Sequence, residues 1–502
     1  MASRKQLAGQ TIWYGLSNIA ARLLNQLLTP LITYFLNNPS GMVDYGNFSM
    51  VYSGISFANI IYTYGLETAY FRFAATGTDK NKLFQTTFTS LVLSTVFFSA
   101  LLIYLRQPIS DFIGLGTHSE YIIWCVLIIA VDTLAAIPYA RLRQEGRPRK
   151  YAFTRVAGII VNIVLTVFFI AYCPGYVAAH PGTAFASWYA GYTSVGFLIM
   201  ANLAQSVVTF LLLYREWIGY RFRFDTILWK QILTYCWPML VVGMGGMVNE
   251  TMDRLMLPKL LPGTVDEGKI ALGIYAANYK IAIFITLFIQ AFKMSAEPFF
   301  FGQAANKNAP ATYARVMKWF VITLCLAFLF TALYIDLWQY FVGSQYREGL
   351  GVVPILLAAN VALGIYYNLS VWYKLTDRMY MGMLITLAGA LLTIGLNFAF
   401  IPVYGMYACA WATLAAYGVM MLLSYFLGQR YFPVPYPVRK LAGYILAMLL
   451  LYAVQRAIAH YIGSVPVRLA TASLLMLTFV GLVVRTERGE LAGMPVIGRW
   501  LR

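Results

Sequence analysis

Arg22 is the residue that most invites a chemical reading. It lies about 14 residues into an apolar segment that begins near residue 8, or roughly 21 Å along a helix rising 1.5 Å per residue. Asn18 and Asn25 stand four before and three after it, so all three share one helical face. A cation flanked by two amides can hold a diphosphate or a sugar; it can equally pair with a carboxylate and pin two helices together. Lys280 sits about 10 residues inside a later apolar segment. It offers a second cation at depth, unless it snorkels to the nearer surface. Asp132, deep in the fourth apolar segment, suits a counter-ion to Arg22 or a ligand for a coupling ion. Charges at membrane depth are rare and usually face a polar cavity.

Glu250, Asp253 and Arg254 lie near one end of the seventh segment. Glu250 and Arg254 are four apart and can pair along the helix, or the trio can gate the outer mouth of a cavity. Glu67 and Glu297 occupy matching places near the opposite ends of their segments. There Arg72, Lys293 or Arg141 could complete an inner gate, although solvated loop-end carboxylates would look the same. Arg141, Arg143, Arg147, Arg149 and Lys150 form the densest basic cluster. It fits first capture of a diphosphate, binding of anionic lipid headgroups, or a plain cytoplasmic loop. Asn162 and Asn397 fit hydrogen bonds between helices.

The elements that must position these side chains follow from composition. Of 502 residues, 60% are hydrophobic and 11% charged. Soluble globular proteins carry about 25% charged residues, so a water-soluble enzyme, a disordered chain and a collagen-like chain are excluded. Fourteen apolar segments can be drawn, near 8–36, 44–71, 83–105, 119–141, 151–173, 192–214, 229–257, 270–300, 313–341, 348–373, 379–401, 403–428, 440–459 and 464–484. A membrane-spanning helix takes about 20 apolar residues. The expected class is an all-α polytopic membrane protein with about 14 transmembrane helices.

Charge orients it. With a cytoplasmic N-terminus, 27 of the 37 Lys and Arg fall on cytoplasmic loops and termini, 7 on outer loops and 3 within segments. That alternation predicts both termini in the cytoplasm, and it leaves the net charge of +18 saying little about cargo. The N-terminal stretch reads as a first membrane helix, not a cleavable signal peptide. Five dispersed cysteines without CxxC spacing read as packing residues rather than a disulfide framework or zinc site. The longest outer loop, 173–190, carries no Lys, Arg, Asp or Glu. Outer loops this short leave little room for an enzyme that must hold an acceptor.

The chain also repeats itself. Tyr45 and Glu67 are 22 residues apart, as are Tyr275 and Glu297, at an offset of 230. Asn162 and Asn397 match at an offset of 235, and Trp13 and Asn25 match Trp237 and Asn249 at 224. The expectation is two six-helix lobes, 1–222 and 223–430, in parallel pseudo-twofold repeat about an axis along the membrane normal. Two additional transmembrane helices and a cytoplasmic tail would occupy 431–502.

Three stretches carry a resemblance. LNFAFIPVYGMYACAWAT (396–413), the basic run IPYARLRQEGRPRKYAFTRV (137–156), and NETMDRLMLPKLL with ALGIYAANYKIA (249–282) resemble, in order, segments of the polysaccharide flippases. These belong to the oligosaccharidyl-lipid branch of the MOP (multidrug/oligosaccharidyl-lipid/polysaccharide) exporter superfamily, relatives of the MATE transporters. The resemblance covers about 65 residues. It implies two lobes around a central cavity and an alternating-access cycle in a bacterial inner membrane. The implied cargo is an isoprenoid-diphosphate-linked glycan, such as a capsule, exopolysaccharide or O-antigen unit. Implied partners are membrane lipids and a glycan polymerase or assembly proteins. One departure counts: such flippases commonly have twelve helices, and fourteen is similar to the lipid II flippases.

No GxxxxGK[ST] appears, so no built-in ATPase is expected, and neither a metal nor a nucleophile constellation is visible. No cofactor is expected. Energy would come from Na+ or H+ as coupling ion, from the membrane potential, or from downstream use of the product. Nucleic acid is not an expected partner. A MATE-type cation or drug antiporter stays open through Asp132, but a first segment with Arg22 and no Asp or Glu favours an anionic cargo.

Overall fold

The computed structural model describes residue 20 and residues 22–75, 78–116, 118–303, 306 and 308–492, apart from the side chains at 75, 294, 295, 297, 298 and 301. Every regular element among them is helical. The longer ones are α1 (Leu28–Phe35), α2 (Pro39–Thr63), α3 (Leu66–Ala75), α4 (Lys80–Tyr104), α5 (Glu120–Gln144), α6 (Pro148–Val167), α7 (Ser194–Leu212) and α8 (Thr226–Leu260). They continue as α9 (Val265–Ala282), α10 (Phe284–Gln303), α11 (Ala309–Ala332), α12 (Val353–Leu369), α13 (Met379–Tyr404), α14 (Met406–Tyr431), α15 (Val438–Tyr461) and α16 (Val465–Thr486).

Among the described residues eleven helices are long and apolar enough to cross a membrane, or twelve if α9 and α10 form one span. Of the expected first segment, 8–36, residues 8–19 and 21 lie outside the described residues. The second, α2, is 25 residues long, but its Ser, Asn, Gly and Tyr content keeps it out of the apolar set. Several expected segments are interrupted, two of them sharply. The helix expected over 44–71 breaks between α2 and α3, where Tyr64 (φ 34°) and Gly65 (φ 76°) adopt left-handed backbone. The helix expected over 270–300 bends by 48° between α9 and α10.

Helix starts follow from local chemistry. Asp79 caps α4 by accepting from the backbone N–H of Asn81 (2.7 Å) and Lys82 (2.9 Å), which satisfies donors the first turn leaves open. Asp225 caps α8 through the N–H of Leu228 at 2.7 Å. Asn38 caps α2 through Gly41, with Pro39 at the first position.

The chain divides into two compact units. The first comprises Met1–Ala277, Gly343–Tyr346 and Thr386–Cys409. Within it α7 packs on α5 and α6, α4 on α5, and α8 on α2. Close approach rests on small residues: a Cβ added at Gly46 of α2 would meet the Lys269 carbonyl at 2.1 Å. The second comprises Asn278–Val342, Arg347–Ile385 and Ala410–Arg502. In it α11 packs against α12 and α15, and α15 against α16.

Candidate functional site

In the first unit four charged side chains from four elements are linked pair by pair in electrostatic range. Arg22 lies within range of Arg155 on α6, Glu250 on α8 and Tyr151. Asp132 on α5 lies within range of Arg155 and within hydrogen-bonding reach of Ser206 on α7. Arg22, Asn25, Asp132, Arg155 and Glu250 are all exposed residues. The Arg155 guanidinium sits over two rings, with its Cζ 5.3 Å from the centroid of Tyr139 and 5.5 Å from that of Tyr151. These rings fix its position by cation–π attraction.

Among the described residues no carboxylate lies within 4 Å of the Arg22 or Arg155 guanidinium. Two like charges are thus held near each other without a direct ion pair. Glu250 and Asp132, within range of Arg22 and Arg155 respectively, offset part of their repulsion. An anion seated between the two cations would offset it further.

A second cluster is buried. Asp253, 2% exposed, accepts from the Tyr275 hydroxyl at 2.5 Å and from its neighbour's backbone, Arg254 N–H, at 2.8 Å. One turn below on α8, Asn249 donates to the Thr386 carbonyl at 3.2 Å and accepts from the Thr393 hydroxyl at 2.9 Å. Four residues beyond Thr393 on α13 stands Asn397, fully buried, with both amide atoms lacking a hydrogen-bond partner among the described residues. Cys409 lies within electrostatic range of Asp253. A buried carboxylate and a buried amide oxygen without a partner among the described residues are each ligand types that hard cations take.

The basic loop is cross-braced. Glu216, 3% exposed, accepts from Arg147 (2.9 and 3.1 Å) and Lys150 (2.7 Å), and its carbonyl accepts from Arg141 at 3.1 Å. Arg141 and Arg147 also bond Glu145, at 2.8 and 3.2 Å. Partial burial would push the Glu145 carboxyl up, but these two guanidiniums hold it below the usual carboxylate range. Arg143 pairs with Glu67, so Glu67 finds its partner there rather than in Arg72, Lys293 or Arg141. Arg149 is exposed and makes no ion pair among the described residues.

The remaining expected residues are placed as follows. Lys280 is half-buried in the last turn of α9, three residues before the bend at Ile283. Glu297 falls on α10, and its side chain is outside the description; Asn18 lies outside the described residues altogether. Asn162 donates to Gln205 at 2.9 Å, joining α6 to α7. Arg155 and Glu216 were not singled out from sequence. Arg155 follows Lys150 by only five residues and merges with the basic loop on charge alone. The signal available for it was position: it is one of three cations inside apolar segments.

The sequence profile of the family described as "Polysaccharide biosynthesis protein" matches residues 7–302. No curated protein sequence matches the chain. Among solved structures, a lipid II flippase MurJ in an inward closed conformation superposes with a TM-score of 0.69 at 13% identity, covering 95% of this chain and 99% of that one. An inward-facing multidrug resistance MATE transporter of the MOP superfamily gives 0.62 at 14%, covering 82% and 94%. A mutant MATE transporter from Vibrio cholerae gives 0.53 at 14%, covering 85% and 96%. At such identities the likeness is one of fold.

Proposed function

Because this chain belongs to the polysaccharide biosynthesis protein family and has the MATE- and MurJ-like fold, we propose that it is a lipid-linked oligosaccharide flippase. It moves an isoprenoid-diphosphate-linked glycan from the inner to the outer leaflet of a bacterial inner membrane by alternating access. The observation that carries this reading is the Arg22–Arg155 pair, two cations in electrostatic range with no carboxylate at ion-pair distance among the described residues. Burying unpaired charge is costly, so a diphosphate needs a cationic seat on its way across, while its isoprenoid tail can stay in lipid. Asn25, exposed and three residues from Arg22, would contact the first sugar.

We assign energy coupling to Asp253, with Na+ or H+ as the ion. Either would neutralise a carboxylate that burial penalises. A capsule, exopolysaccharide or O-antigen unit is the cargo class the family supports. The MurJ likeness over nearly the whole chain keeps lipid II as the second reading.

The test is complementation of a deletion strain by wild type, Arg22→Ala, Arg155→Ala and Lys280→Ala at matched expression. Lost surface polysaccharide with lipid-linked intermediate accumulating on the cytoplasmic side supports the assignment. Normal surface polysaccharide, with altered resistance to cationic drugs, would overturn it in favour of an antiporter.

A further inference from the structure

From Val156 to Tyr214 the chain carries no Lys, Arg, Asp or Glu. Within this stretch α6 continues well past the thickness of a bilayer. The helix runs from Pro148 to Ala179, 32 residues, or about 48 Å, against a hydrocarbon core of about 30 Å. Counted from the charged pair Arg149 and Lys150, that core is crossed near residue 170. There the helix changes to a π-turn, Phe168–Tyr172, then runs on as Cys173–Ala179, reverses, and returns as Ala184–Ala190.

Four rings climb this extension at every fourth residue. Phe168 stacks on Tyr172 at 5.8 Å, Tyr172 on Tyr176 at 6.2 Å, and Tyr176 on His180 at 4.5 Å, with interplanar angles of 20°, 24° and 24°. The ladder is exposed: Tyr172 is 60% accessible, and Trp188 on the returning arm 41%. It prolongs the exposed apolar stripe of α6 that includes Ile160 and Val164. Arg155 is nine residues from Val164, two and a half turns, and so points to the opposite side. The ladder therefore lies on the lipid-facing side rather than the side of the charged cluster. Behind it the hairpin is held rigidly. Tyr189 stacks on Phe197 of α7 at 4.3 Å, and its hydroxyl donates to the Phe169 carbonyl at 2.8 Å.

We propose that this hairpin is a lipid-binding platform in the leaflet opposite the basic loops. The Phe168–His180 ladder and Trp188 sit at the boundary between headgroups and acyl chains and bind the lipid surface there. Rings with a polar edge partition to that depth. The absence of charge makes the contact indifferent to headgroup charge, unlike the basic loops at the other face.

The test is spin labelling of the full chain in nanodiscs at Tyr172→Cys, Tyr176→Cys and Trp188→Cys, with collision rates for oxygen and for a water-soluble nickel chelate. All five native cysteines are buried, so labelling is selective. Lys80→Cys gives the aqueous reference and Leu391→Cys, 72% exposed on α13, the lipid reference. The expected result is nickel accessibility several-fold below Lys80 at all three positions, unchanged between phosphatidylcholine and phosphatidylglycerol discs. Tyr172 and Tyr176 sit outside the Tyr189–Phe197 packing, whereas Trp188 also packs on Phe197 at 5.8 Å, so a Trp188 variant that fails to fold leaves two reporters. Nickel accessibility equal to that at Lys80 would overturn the proposal. If added maltohexaose then lowered it, the ladder would be a sugar site instead.

Discussion

Replacing Glu487 with Gln should loosen the two C-terminal helices by an amount the structure sets. Glu487 follows α16 directly and is 3% exposed. It accepts from Lys318 of α11 at 2.5 Å, from Lys440 at 2.9 Å and from the Tyr444 hydroxyl of α15 at 2.7 Å. One carboxylate thus joins α11, α15 and α16 within the second unit. Burial pushes its pKa up, but the three donors prevail and hold it at about 2. At 1.36 kcal/mol per pKa unit, a carboxyl held there instead of at its ordinary value near 4.5 contributes about 3 kcal/mol at neutral pH. The Gln variant keeps Glu490 on Lys318, at 2.8 Å, so the expected loss is about 2 kcal/mol. Because the folded pKa is depressed, the contribution is whole above about pH 4.5 and fades as pH falls toward 2.

The assay is a thermal melt read by tryptophan fluorescence, which works across the acid range. Trp319 of α11 donates to Glu490 at 3.1 Å and reports on this junction. Glu487→Gln should melt several degrees lower at pH 7 and lose most of the acid sensitivity that the parent shows between pH 4.5 and 2. An unchanged melting temperature, or an unchanged acid limb, would refute the reasoning.

Arg155→Ala should abolish transport at unchanged expression and melting temperature, with Arg155→Lys partly active, since Lys keeps the charge but not the planar group that stacks on Tyr139 and Tyr151; a complementation assay beside a thermal melt checks this. Glu216→Ala should destabilise the chain by about 2 kcal/mol, because Arg147 and Lys150 lose their buried acceptor yet remain partly solvated; the same melt at pH 7 reads it. Asn397→Leu should leave stability unchanged or raised, since it removes a buried amide with no partner, while Asp253→Asn should remove the dependence of transport on Na+ or pH. Transport assayed across Na+ and pH gradients in proteoliposomes checks the pair.

Much of the fold could be read in advance, because apolar runs of 20 or more residues leave few alternatives in lipid. Segment ends shifted where capping residues extend the helices: α8 begins at Thr226 rather than near 229 because Asp225 caps it. The break at Tyr64 was hidden, since only Gly65 hints at left-handed backbone and glycine is common within membrane helices. The bend at Ile283 carries no proline or glycine and left no local signal. For the site, depth singled out Arg22 and Asp132, but pairing is a property of three dimensions. Only the folded chain shows that Arg155 lies within range of Arg22, and that Glu216 ties down Arg147 and Lys150.

The central claim is that Arg22 and Arg155 together seat a diphosphate. Its most direct measurement is binding of undecaprenyl diphosphate, against undecaprenol as the uncharged control, to the full chain in nanodiscs by native mass spectrometry. Wild type should retain the diphosphate far better than the alcohol, and Arg22→Ala, Arg155→Ala and the double variant should lose that preference while binding the alcohol as before. Equal retention of both lipids by wild type, or a preference that survives the double substitution, would contradict it.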